Sequence, residues 1–218
     1  MTPWLSWQLA DSAFPTGGFA HSGGLEAAVQ LGRCAGVAGL DAFVVESLWQ
    51  AGSLAVPFVV AALRAPERLA ELDARCDAAI PGHVANRASR AQGRALLRAA
   101  LSLVPAAREL EEEVRHAGLA GHLAPVSGVV LGRLGASEEE AARLHLFLAA
   151  RGIVSAGVRL GLCGPLEAQA ALVRAGAVAD AVLAATAGRP PEEAAAASPL
   201  LELLQSHQDR LYSRLFQS

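Results

Sequence analysis

Lysine is absent from this 218-residue sequence, and all 18 basic residues are arginine. A Walker loop therefore has no lysine to reach a terminal phosphate, and Schiff-base chemistry has no side-chain amine to use. Aromatic residues make up only 5% of the chain, and runs of Val, Ile, Thr and Tyr that would build strands are scarce. Cys34, Cys76 and Cys163 are odd in number, far apart and outside any CxxC spacing, which excludes a disulfide framework and a zinc knuckle and fits a reducing cytoplasm. The net charge of -3 and the lack of any basic cluster interleaved with aromatics argue against nucleic acid. The opening MTPWLSWQLAD has neither the basic start nor the unbroken apolar stretch of a signal peptide. The longest uncharged run, residues 47–63, is interrupted by Gln50, Gly52, Ser53 and Pro57 and falls short of the roughly 20 residues of a membrane span, so it is expected to be a core helix.

What is present is alanine and leucine. They dominate a 53% hydrophobic composition, and both favour helix. The expectation is an all-α, single-domain bundle of about nine or ten short helices over residues 1–218. Leu5 and Leu9 share a face ahead of Pro15, and Leu25 to Leu31 forms a short helix closed by Gly32. Asp41 is placed to cap a helix through Trp49 that Pro57 bends or divides, and Pro66 opens the next. From His83 to Val104, Arg87, Arg90, Arg94 and Arg98 mark the solvated side of a long helix, and a further one ends at Gly118. Ser137 with Glu140 three residues on spells a capping box; Pro165 to Gly188 and a start at Ser198–Pro199 complete the set.

Two stretches call for more than packing. Residues 14–24, FPTGGFAHSGG, hold four glycines but neither GxGxxG nor a preceding strand. Ser22, followed in chain order by Asp180 and His207, allows a serine hydrolase built on a variant nucleophile elbow, although such an elbow needs a strand to deliver the serine and a turn serine is the plainer account. His116 and His122, six apart across two glycines, suit no helical metal pair. At the other end, SHQDRLYSRLFQS places Leu211 with Leu215 and Tyr212 with Phe216 at i,i+4, flanked by Arg210 and Arg214. An aromatic chain end must dock either on its own core or on a partner. A helical interaction module of any kind would satisfy these features as well.

Together these ends resemble the urease accessory protein UreF family, most closely its plant-type members. QLADSAFPTGGFAHSGGLEAAV is similar to the family's leading signature and HQDRLYSRLFQS to its closing one, while RASRAQGRALLRAA, CGPLEAQ and SPLLELLQ fall between them in family order. The resemblance implies an all-helical, homodimeric adaptor without enzymatic activity. It would stand between the UreD/UreH scaffold protein and the UreG GTPase and help deliver nickel to apo-urease, with no cofactor stably bound to itself, no dedicated metal site, no nucleic acid and no membrane. It also implies that residues 208–218 form a partner-docking tail, carried by Arg210, Tyr212, Arg214, Leu215, Phe216 and Ser218. Phe14, Pro15, Gly17, Gly18, Phe19, His21 and Glu26 would belong to the partner-facing loop. Many bacterial members carry Lys and then Leu-Gly-Gln in a region associated with control of the GTPase; here Arg159 is followed by Leu162-Cys163-Gly164-Pro165, and Arg159 is the implied counterpart. Gly23 stands where a bulkier residue is common in the family, which is expected to loosen the loop.

Overall fold

A computed structural model of the chain describes residues 1–103 and 107–218. It is 73% helical, and no strand occurs among the described residues. The α-helices are α1 (Pro3–Ala10), α2 (Leu25–Gln30), α3 (Gly36–Gln50), α4 (Val56–Arg64), α5 (Leu69–Ala79), α6 (His83–Ala100), α7 (Ala107–His116), α8 (Leu123–Arg133), α9 (Glu138–Arg159), α10 (Pro165–Thr186) and α11 (Pro199–His207).

Several of these follow from local chemistry. Ser137 Oγ accepts the Glu140 N–H at 3.2 Å while the Glu140 carboxylate accepts the Ser137 N–H at 2.8 Å, so the capping box that starts α9 is complete. Pro57 interrupts the regular hydrogen bonding of its helix without dividing it. A proline has no N–H to give the carbonyl four residues earlier, and that carbonyl, on Ser53, accepts the Ala195 N–H at 3.2 Å instead. The backbone accommodates this with one π turn over Ala51–Ala55, leaving α3 and α4 as one continuous piece.

Other expectations change. Asp41 does not cap α3, which begins earlier at Gly36; its carboxylate lies within the helix and receives Arg174 of α10 in a forked pair at 2.8–3.1 Å. The helix expected to run to Val104 ends at Ala100 with turns over 101–103, and Val104 lies outside the described residues. Length does not exclude a membrane-spanning reading either. The uncharged run belongs to a 29-residue helix, Gly36–Arg64, which like α9 and α10 is long and apolar enough to cross a membrane. In this fold half of its apolar window is buried in the protein core.

That core has two parts. One gathers Leu25, Leu40, Leu48, Leu146, Val154, Val182 and Phe216 from α2, α3, α9, α10 and the C-terminal segment. The other gathers Phe58, Leu72, Leu97, Leu110 and Val126 from α4 through α8. The π turn sits where the long helix passes from the first part to the second, and α9 also serves both. In the second part α4 and α8 meet backbone to backbone: a Cβ on Gly128 would collide with the Val59 carbonyl oxygen. His122, fully buried at the head of α8, ties that part together. Its ring bonds Ser89 Oγ and Asp77 Oδ1, both at 3.0 Å, while Asp73 accepts the N–H groups of Gly121 and His122. His116 and His122 thus form no pair.

Candidate functional site: the glycine loop and the C-terminal segment

The glycine-rich loop leaves α1, makes a left-handed turn at Gly17 (φ 75°), and runs through a single 3-10 turn, Gly18–Ala20, into α2. Gly24 also has positive φ, and a Cβ there would press on the Gln205 backbone, so glycine lets the start of α2 lie directly on α11. Gly23 is not loose: its carbonyl accepts Gln205 Nε2 at 3.1 Å and Ile153 packs against it.

After α11 and the short turn Gln208–Arg210, residues 211–218 are not helical, contrary to the i,i+4 pattern of Leu211, Tyr212, Leu215 and Phe216. The reason is a carboxylate. Glu26, 2% exposed, accepts the Leu215 N–H at 2.6 Å, the Phe216 N–H at 3.1 Å and Gln208 Nε2 at 2.6 Å. An ionised acceptor outbids helix carbonyls for those amides, and the segment folds back along the loop. Gln217 N–H donates to the Ala20 carbonyl at 2.8 Å, Ser22 Oγ donates to the Ser218 carbonyl oxygen at 2.9 Å, and His21 Nδ1 lies 2.7 Å from Ser218 Oγ. Burial, reinforced by the nearby Arg87 charge, lowers the His21 pKa and so favours the neutral ring.

Arg159, at the end of α9, joins the two stretches. Its guanidinium lies 3.7 Å from the Phe19 ring centroid and 4.1 Å from that of Phe216, and it donates to the Phe19 carbonyl. At the start of the C-terminal segment, Asp209 accepts a fork from Arg87 at 2.9 and 3.1 Å and a further bond from Arg214 at 3.1 Å. The fold therefore brings together Phe19, His21, Glu26, Arg159, Leu215, Phe216 and Ser218. Phe14 and Gly18 are half-buried on the inner side of the loop, where they line a cavity of about 270 Å³ bounded also by α6, α8 and α9. Pro15, Gly17 and Arg210 stand exposed, and Tyr212 is as exposed as a free side chain. Gln208, fully buried at the centre of the contact, was missed because nothing in its neighbourhood distinguishes it from the surface glutamines of a chain end.

This arrangement does not suit the hydrolase. Ser22 is wholly buried with its hydroxyl committed to Ser218, it precedes a helix without following a strand, and Asp180 is engaged by Arg143 on the exposed side of α10. Among the described residues no group of three His, Cys, Asp or Glu could hold a metal ion.

A family model described as UreF matches residues 34–176, the body of the bundle between the two stretches. Full-length relatives extend the likeness to both ends. "Urease accessory protein F" of Arabidopsis thaliana is 39% identical over 98% of this chain and 91% of its own, and the protein of the same name from Oryza sativa subsp. japonica is 38% identical over 98% and 84%. "Urease accessory protein UreF" of Mycobacterium tuberculosis is 33% identical over 96% of each chain. With the helical body matched by the family model and both terminal stretches covered by these relatives, the chain belongs to the UreF family of urease accessory proteins.

Proposed function

We propose that this chain is a non-enzymatic adaptor of urease maturation, which bridges the UreD/UreH scaffold protein and the UreG GTPase, modulates that GTPase and so supports nickel insertion into apo-urease. On this reading it works in the cytoplasm as a homodimer, binds neither nucleic acid nor membrane and holds no cofactor stably; nickel is cargo of the assembled complex. The observation that carries the reading is the meeting of the two terminal stretches in one surface. Their buried partners, Glu26, Gln208 and Phe216, fix the backbone, while Phe19 (68% exposed), Tyr212 and Leu215 (54%) are left facing outward next to Arg159 and Arg210. Aromatic and arginine side chains on a preorganised backbone are favoured anchors for a protein partner, because little conformational freedom remains to be lost on binding. Arg159 touches both stretches at once, which makes it the residue through which docking of the tail would reach the GTPase.

The test is co-purification of the scaffold protein with a Tyr212→Ala, Leu215→Ala double variant. Both side chains lie outside the core, so its melting temperature matches that of the parent. The loss of two anchors weakens capture about tenfold or more. Undiminished capture overturns the assignment. Truncation is a poorer probe, since it would also remove Phe216 from the core.

A further inference from the structure

The cavity beneath the glycine loop is not explained by adaptor function. Its walls are mostly apolar, with Leu96 of α6, Leu131 of α8 and Leu148 of α9 among them, but three features of α9 are unlike a packing defect. Arg151 lines the cavity with no carboxylate of the described residues within ion-pair distance. Its guanidinium donates to the Ala10 carbonyl, and Asp11, the carboxylate whose charge reaches it, accepts the Ala13 N–H instead. His145 lines the same space and makes no hydrogen bond or ion pair among the described residues. Gly152, in the interior of α9, would carry a Cβ with nothing within 4 Å. A glycine in mid-helix weakens the helix, and no neighbour among the described residues requires one here.

We propose that this cavity is a binding site for a small monocarboxylic acid with an apolar body, the carboxylate received by Arg151 and the body lying in the space left open by Gly152 between Leu96, Leu131 and Leu148. A half-buried guanidinium that has no ion-pair partner among the described residues, with Asp11 acting on it only from a distance, keeps donors free for an anion that brings its own charge. Its unused donors point to oxygen acceptors rather than to a metal ion. Burial lowers the Arg151 pKa and pushes the His145 ring down to about 4, so His145 is a neutral partner for a hydrogen-bonding group and not a second charge. At about 270 Å³ the cavity lies just under the range of about 300–1,000 Å³ typical of drug-sized ligands, and an aliphatic or aromatic acid of modest length suits it. Arg159 and Phe19 stand at the rim, so an occupant would brace the loop from within.

Isothermal titration of the full chain with octanoate, 1-octanol and acetate tests this without any partner protein, so its failure leaves the adaptor reading standing. Octanoate binds saturably and at least about tenfold more tightly than either comparison compound, since both the charge and the apolar body contribute. Gly152→Leu fills the space, retains the helix and weakens octanoate at least about tenfold; Arg151→Met lowers octanoate to the level of 1-octanol. Absence of saturable octanoate binding, equal binding of 1-octanol, or undiminished binding by the folded Gly152→Leu protein each overturns the proposal.

Discussion

Replacing Glu26 with glutamine keeps the side-chain volume and removes one acceptor and the charge. In the parent, Oε1 accepts the Leu215 N–H, and Oε2 accepts both the Phe216 N–H and Gln208 Nε2. An amide has one oxygen. If that oxygen stays with Leu215, the new NH2 group faces the Phe216 N–H, donor against donor, in a site that excludes water. Gln208 can turn its own amide over and offer Oε1, which has no partner in the present arrangement, but the Phe216 carbonyl then loses its donor, 3.2 Å away. One charge-assisted bond is lost and at least one buried backbone group is orphaned in either arrangement, which costs about 3 kcal/mol. Because the C-terminal segment can open without unfolding the bundle, the loss falls on local opening and not on global melting. Amide hydrogen exchange at fixed pH should show Leu215 and Phe216 losing protection by about 100-fold, with Val59 in α4 unchanged. Protection of Leu215 and Phe216 within about threefold of the parent would refute the account of Glu26 as the residue that holds the segment.

Two further outcomes follow from the body of the protein. The His145 pKa of about 4 lies below its ordinary 6.5, so the unfolded chain takes up the proton first, and stability present above pH 6.5 is lost as the pH falls toward 4; at pH 5 the loss is about 2 kcal/mol. Unfolding free energies from urea titrations at pH 7 and pH 5 should therefore differ by about 2 kcal/mol more in the parent than in His145→Leu, and parallel shifts in the two proteins would contradict it. Gly128→Ala, which drives a methyl into the Val59 carbonyl, costs about 3 kcal/mol by forcing α4 and α8 apart; a variant that melts with the parent would show that the seam can give.

The sequence announces a feature when its partners are close along the chain. Ser137 and Glu140 are three residues apart, and the start of α9 needs nothing beyond them. Pro57 likewise announces a break, although the rescue of Ser53 by Ala195 could not be foreseen, since it depends on where the segment before α11 passes. Asp41 misled because a residue that suits a helix cap also suits an ion pair, and Arg174 lies 133 positions away. The tail misled for a related reason: its apolar spacing fits a helix, but a buried carboxylate near the other end of the chain claims the amides that the helix would have used. Both ends of the site were therefore legible as stretches that needed partners, whereas their linkage through Glu26 and Gln208 was not. The cavity was not legible at all, because Leu96, Leu131, His145 and Arg151 come from three helices whose mutual placement is a property of the packed core.

The contact between α4 and α8 has a mechanical consequence. Where two backbones touch at Gly128 there is no layer of side chains to exchange rotamers, and gradual sliding of one helix along the other has no low-energy path. That half of the molecule behaves as a stiff strut. The loop and the C-terminal segment are the contrasting part, since their attachment depends on a few hydrogen bonds that can break and re-form.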